Sequence, residues 1–235
     1  MATRQVLAAL SQAWQLQGGV AWQVESVGGV DAARRVQAGE AFDLVFLADD
    51  ALATLAAAGH VRGDTARGLM RSQVAVAVAA HAPQPDIGSE AALRQAVLAA
   101  PSVGYSTGPS GQAVLALLDR WGVRSSLGDR LVQAPPGVPV AQLMAQCQVA
   151  LGFQQLSELL HVPGIAIVGP LPPEVAIDTV FAGAVASTCT DMDRQTQAQA
   201  VLAYLASPAA TRAKTEQGMA PLAHSFFVPH PQETS

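Results

Sequence analysis

Apolar residues recur along this chain in two rhythms. Val114, Leu117, Leu118 and Trp121 fall at i, i+3, i+4 and i+7, the spacing of one buried helix face, and Gly122 stands where such a helix stops. Leu7, Leu10 and Trp14 draw a similar stripe over 3–17, closed by Gly18 and Gly19. Then the period shortens. Val20, Trp22 and Val24 alternate with Ala21, Gln23 and Glu25, which predicts a strand with one face inward. Residues 42–48 are too continuously apolar for a solvated face and predict a central, parallel strand, and 74–80 predicts another strand. Further strands are predicted at 103–105, 131–132, 148–153, 165–168 and 177–186. Helices are predicted at 30–39, 51–58, 89–98, 138–146, 193–205 and from 208 to Gly218, with a short one ending at Leu160 and an irregular tail over 219–235.

Strands alternating with helices throughout predict an α/β fold with largely parallel sheets. Two proline-rich breaks, 81–86 and 170–173, interrupt the alternation. They predict a lobe of residues 81–175 inserted into an outer lobe made of 1–80 and 176–235, with two chain crossings forming a hinge.

Composition narrows the function. Half of the 235 residues are hydrophobic and only 13% are charged, so the surface leans on Ala, Gly, Ser, Thr and Gln. A net charge of -5 gives no basic footprint for nucleic acid. The longest apolar run, 74–80, is far short of the roughly 20 residues of a membrane helix. Cys147 and Cys189 lack metal-ligand spacing and read as small buried hydrophobes, with a disulfide between them as the second reading. The histidines form no HExxH and read as solvated loop residues.

The chemistry that remains lies at strand-turn-helix junctions rich in Gly and Ser. Tyr105 ends a strand, residues 106–111 (STGPSG) form a tight turn, and the helix that follows presents free N–H groups and a positive dipole end. Such an end attracts anions. Ser26 to Gly29 form a second junction, and Phe153, Gln154 and Gln155 a third. Neither a GxxxxGK[ST] nor a GxGxxG motif is present at these turns, so nucleotide phosphate loops are excluded. Asp49 and Asp50 open a helix and read as N-capping carboxylates, with catalysis by the acidic pair as the alternative.

The segments VGGVDAARRVQAGEAFDLVFLADDAL, QVAVAVAA, SVGYSTGPSGQAVLALLDRWG, VALGFQQLSEL and LASPAATRAKTEQGMAP, in that order, resemble the type II periplasmic solute-binding proteins, and within them the molybdate-binding-protein-like branch. The resemblance implies a two-lobed periplasmic-binding-protein type II fold whose lobes hold an oxyanion through neutral hydroxyls and backbone N–H groups. Carried over position by position, it implies ligand contacts from Ala2 and Thr3, from Gly28 and Gly29, from Ser110 and Gly111, and from Phe153 and Gln154.

The departures from the family carry information as well. Family members begin with a strand preceded by a secretion signal. This chain starts at the helix after that strand, so the first sheet is expected to be one strand short and translation to begin upstream. Gly28-Gly29 stands where molybdate binders carry a serine, and Phe153 where they carry a tyrosine. Each donor missing around a small tetrahedral oxyanion costs about 1 to 3 kcal/mol. That shifts the expected ligand toward an organic carboxylate, and the branch also contains periplasmic aconitate isomerases. A tricarboxylate calls for a cation, for which Arg71 and Arg4 are the candidates, since a guanidinium grips a carboxylate bidentately. Proton shuttling would fall to Ser110, Tyr105 or the Asp49/Asp50 pair.

The first reading is the solute-binding component of an ABC importer, without chemistry of its own, that closes on a small anion. The alternative is an isomerase of an unsaturated tricarboxylic acid. A third is a ligand-sensing domain of the LysR type, against which stands the lack of a helix-turn-helix. The resemblance implies a periplasmic monomer that is not inserted in a membrane, needs no metal or cofactor, and has a small anion and an ABC permease as partners.

Overall fold

The computed structural model of the chain describes residues 2–222. Its elements run α1 (Arg4–Leu16), α2 (Gly29–Gln37), β1 (Leu44–Ala48), α3 (Asp49–Ala57), β2 (Arg67–Ala79), α4 (Glu90–Ala99), β3 (Val103–Tyr105), α5 (Pro109–Arg120), α6 (Arg124–Leu127), β4 (Leu131–Gln133), α7 (Val140–Ala145), β5 (Leu151–Gln155), α8 (Leu156–Leu159), β6 (Ile165–Pro170), β7 (Asp178–Val185), α9 (Met192–Ala206), α10 (Thr211–Glu216) and β8 (Met219–Pro221). The chain forms two compact units. One holds residues 3–71 and 179–222; the other holds Ala2 and 72–178. The chain passes from the first unit to the second within β2, between Arg71 and Ser72, and returns between Asp178 and Thr179. The Pro-rich segment at 81–86 follows β2 and carries no regular structure.

In the first unit β1 pairs antiparallel with β7, Leu44 opposite Val185 and Ala48 opposite Phe181. Val45 and Leu47 point into a core shared with Val36, Leu52, Leu55, Ala182 and Ala184. Each fully buried Val or Leu contributes about 1.5 to 3 kcal/mol relative to an exposed one. β1 therefore runs antiparallel to its neighbour and, among the described residues, pairs on one side only, contrary to what its apolar run predicts. The predicted strand at 20–25 is likewise absent. Trp22 and Val24 are half-buried while Ala21, Gln23 and Glu25 are exposed, so the alternation is real, but the segment has no ladder partner among the described residues. Trp22 instead packs on Phe46, ring centroids 6.0 Å apart.

The second unit is organised on the rest of β2. One side pairs antiparallel with β5, Val74 opposite Gln155 and Val76 opposite Phe153; β6 also runs antiparallel to it. β3 lies parallel to both β5 and β4. The sheets are thus mixed rather than largely parallel. One face of this sheet presents Val74, Val76, Val103, Leu151 and Phe153 to Leu93, Val97, Val114 and Leu118 of α4 and α5. The other presents Ala75 and Ala77 to Val140 and Met144 of α7. That second face is built from small residues for a steric reason. A Cβ on Gly152 would fall 2.2 Å from Met144 Sδ, and one on Gly104 would fall 2.9 Å from Val140 Cγ1. The missing side chains let α7 lie close against the strands.

Two smaller expectations also change. Residues 219–221 form β8, which pairs with β2, rather than starting an irregular tail; the rest of that predicted tail lies outside the described residues. Cys147 is exposed at the end of α7 with φ 58°, not buried, while Cys189 is buried, and neither forms a disulfide.

Candidate functional site

In the first unit the residues expected at the site lie at helix starts. Thr3 is the N-cap of α1: its carbonyl accepts the Leu7 N–H at 2.9 Å, while its half-buried hydroxyl makes no capping bond. Ala2, before it, is buried and belongs to the second unit. Gly28 caps α2 and Gly29 is its first residue. A Cβ on Gly29 would meet nothing nearer than Leu47 Cδ2 at 4.0 Å, so this helix start lies beside the end of β1. Neither glycine is demanded by sterics. Asp31, in the first turn of α2, already offers that end a carboxylate and pairs with Arg34 at 2.8 Å.

The Asp49/Asp50 pair is committed to α3. Asp49 Oδ1 accepts the Asp50 N–H at 3.0 Å and Asp50 Oδ1 accepts the Ala51 N–H at 2.7 Å, both within the first turn, whose N-cap is Ala48. Arg4 is exposed in the first turn of α1. Arg71 is exposed on β2 at the last position of this unit. A shallow cavity between Phe42, Asp43, Cys189, Asp191 and Arg194 sits at the opposite end of β1 from Ala48. Its Asp43 and Arg194 neutralise each other at 2.6 Å.

In the second unit the turn between β3 and α5 is the most constrained feature. Gly108 is the N-cap, Pro109 the first helical residue, and the Gln112 N–H closes the first intrahelical bond to Gly108 at 3.1 Å. Proline has no N–H, which leaves those of Ser110 and Gly111 as the donors at the positive end of α5. The Ser106 and Ser110 hydroxyls lie 3.4 Å apart beside them. A Cβ on Gly111 would stand 1.7 Å from the Ser106 carbonyl oxygen, so this tight approach requires glycine. The turn offers uncharged donors only.

β5 runs parallel to β3, so the turn after each opens at the same edge of the sheet. Here the structure corrects the sequence. β5 continues through Gln155, which is the N-cap of α8, so Phe153 and Gln154 lie within the strand rather than at a helix start. Phe153 is 1% exposed and its ring belongs to the core against α4 and α5. Gln154 is 2% exposed with both ends of its amide engaged: the Ala141 N–H donates to Oε1 at 2.9 Å, and Nε2 donates to Glu158 Oε2 at 3.0 Å. Tyr105, expected as a proton shuttle, is also buried in the core.

What the sequence reading missed follows immediately. Gln155 and Ser157 are buried, and the Ser157 hydroxyl lies 3.5 Å from that of fully buried Ser72 on β2. Glu158 is half-buried, and desolvation raises its carboxyl above the ordinary carboxylate range. The signal was present in the run FQQLSE, whose four polar residues among six make it too rich in hydrogen-bonding groups for a plain buried strand end. Among the described residues no group of three or more His, Cys, Asp and Glu side chains is placed to hold a metal ion, and no helix is long and apolar enough to cross a membrane.

Residues 1–220 match the model of a family described as bacterial extracellular solute-binding protein. A Pseudomonas aconitate isomerase is 36% identical over 189 residues, covering 80% of this chain and 71% of that protein. Among solved structures, the periplasmic molybdate-binding protein of Azotobacter vinelandii superposes with a TM-score of 0.76 at 17% identity, over 92% of this chain and 94% of that one. The tungstate-binding protein of Desulfovibrio alaskensis gives 0.66 at 14% identity, over 93% of each chain. At these identities the two superpositions show a shared fold.

Proposed function

From the premise that this chain belongs to the bacterial extracellular solute-binding proteins, whose model it matches over 1–220, we propose that it captures a small carboxylate-bearing anion in the periplasm and passes it to an ABC permease. The observation that carries this reading is the β3–α5 turn. Its Ser110 and Gly111 N–H groups and paired Ser106 and Ser110 hydroxyls form an anion-binding corner with no counter-charge of its own. An organic carboxylate suits it better than molybdate or tungstate. The ring of Phe153, in the same unit, is in the core and adds no donor at this corner for a compact tetrahedral ion.

Thermal denaturation of the full chain with molybdate, tungstate, sulfate, citrate and cis- and trans-aconitate tests the reading. A ligand at 100 times its Kd adds about 2.7 kcal/mol of stability. Stabilisation by a carboxylate alone is the expected result; stabilisation by the oxyanions alone overturns it.

A second reading, isomerisation of an unsaturated tricarboxylate, is favoured by one specific observation, the 36% identity to an aconitate isomerase over most of both chains. Conversion of one aconitate isomer into the other by the purified protein separates it from pure capture.

A further inference from the structure

We propose that Glu158 is the proton-transfer residue of this chain and Gln154 its positioning residue, acting on an unsaturated polycarboxylate held at the same sheet edge. The inference rests on the carboxylate and isomerase readings above. It begins from the way the Gln154 amide is fixed. Its oxygen is claimed by the Ala141 N–H at 2.9 Å, in the first turn of α7, so the amide has one orientation and its NH2 must point at Glu158 Oε2, 3.0 Å away. α7 cannot drift from this contact without opening the close packing over Gly104 and Gly152. A surface glutamate samples many rotamers, whereas this one is held by a residue that is itself 2% exposed.

The other carboxylates with named partners are spoken for. Asp49 and Asp50 accept first-turn N–H groups of α3. Glu90 accepts from Trp121 Nε1 and Arg120 and is held below the ordinary range. Glu40 is likewise held down by Arg35. Burial moves Glu158 the other way, toward neutrality, against a facing amine charge and the Gln154 hydrogen bond, both of which favour its ionised form. Its place is apt as well. It follows β5, while the donors of the α5 turn follow the parallel neighbour β3, so binding and proton handling come from adjacent junctions of one sheet.

The step balances without a co-reactant. The ionised carboxyl of Glu158 takes a proton from the saturated carbon next to the double bond, and that C–H electron pair becomes part of a new C=C bond. The electron pair of the old double bond then takes up the proton from Glu158 at its far carbon. One C–H bond breaks and one forms, the double bond moves by one position, and nothing is oxidised or reduced. Donors on the substrate carboxylates stabilise the negative charge that builds up between the two transfers.

The test uses the full chain with cis- and trans-aconitate, following interconversion by proton NMR and binding by thermal shift. Wild type is expected to convert. Glu158→Gln is expected to lose at least about 100-fold in rate while keeping the aconitate-induced thermal shift. Glu158→Asp, which keeps a carboxyl on a shorter stem, is expected to recover part of the rate and covers the case in which the glutamine variant does not fold. Gln154→Ala is expected to shift the pH dependence of kcat while keeping the aconitate-induced thermal shift, a change that a smaller folded fraction alone does not give. Wild-type rates in Glu158→Gln overturn the proposal, as does wild-type protein that binds aconitate and never converts it. No thermal shift with either aconitate in the wild type overturns the carboxylate reading itself, and the proposal with it.

Discussion

The ammonium of Lys214 donates to the carbonyl oxygen of Leu69 across 2.8 Å, tying α10 to β2 two residues before the chain leaves the first unit. The side chain is 1% exposed, and desolvation lowers its pKa from 10.5 to about 8. Between about pH 8 and 10.5 the unfolded chain keeps a proton that the native protein has released, so stability rises with pH across that window. Denaturant titrations at the two ends of the window are expected to show this rise in the wild type. Lys214→Met is expected to flatten it.

Glu158 produces the opposite slope. Its carboxyl is raised in the native state, so the folded protein holds a proton that the unfolded chain gives up from about 4.5 upward. Stability therefore falls as pH climbs from there through the native pKa, and Glu158→Gln is expected to remove this component. Urea midpoints measured through the weakly acidic range check the sign.

Gly111→Ala is expected to be the most damaging small change in the β3–α5 turn, since the new methyl meets backbone at Ser106 rather than a movable side chain. A loss of about 3 kcal/mol and disappearance of any ligand-induced thermal shift are the expected readouts. Gly108→Ala, with nothing within 4 Å of its Cβ, is expected to cost only about 1 kcal/mol through the weaker cap.

Phe153→Tyr distinguishes a core ring from a ligand contact. A hydroxyl added to a ring that is 1% exposed is expected to cost about 1 to 3 kcal/mol in a melting or denaturant experiment, with no gain in anion binding. Ser110→Ala is expected to do the reverse, leaving stability within about 0.5 kcal/mol and weakening the ligand-induced shift.

The sequence was most readable where one face is buried and the other solvated. In α5 the stripe of Val114, Leu117 and Leu118 is buried as its spacing implies, and Gly122 ends the turn with φ 67°. Ser89 likewise caps α4, accepting the Ala92 N–H at 3.2 Å. It was least readable where long-range pairing decides. Trp22 and Val24 alternate as a strand should, yet alternation reports a buried face and says nothing of whether a neighbour supplies hydrogen bonds. The apolar run of β1 reads the same whether its partner is parallel or antiparallel, and β7 is antiparallel. At the candidate site the two glutamines misled in one direction. Gln154 reads as a residue at a helix start, but Ala141 and Glu158 satisfy its amide, and the strand runs on through Gln155. Lys214 was hidden for a related reason: its burial depends on a carbonyl 145 residues away.

The neutral donors at Ser106, Ser110 and Gly111 have a kinetic corollary for a molecule that carries -5 overall. An approaching anion feels repulsion at long range and attraction only within the last few ångströms, where dipoles dominate. Dissolved electrolyte shortens the reach of the repulsion, to about 10 Å at 0.1 M, and leaves the short-range pull nearly intact. Encounter should therefore quicken as sodium chloride is added, the reverse of the trend for a cationic trap.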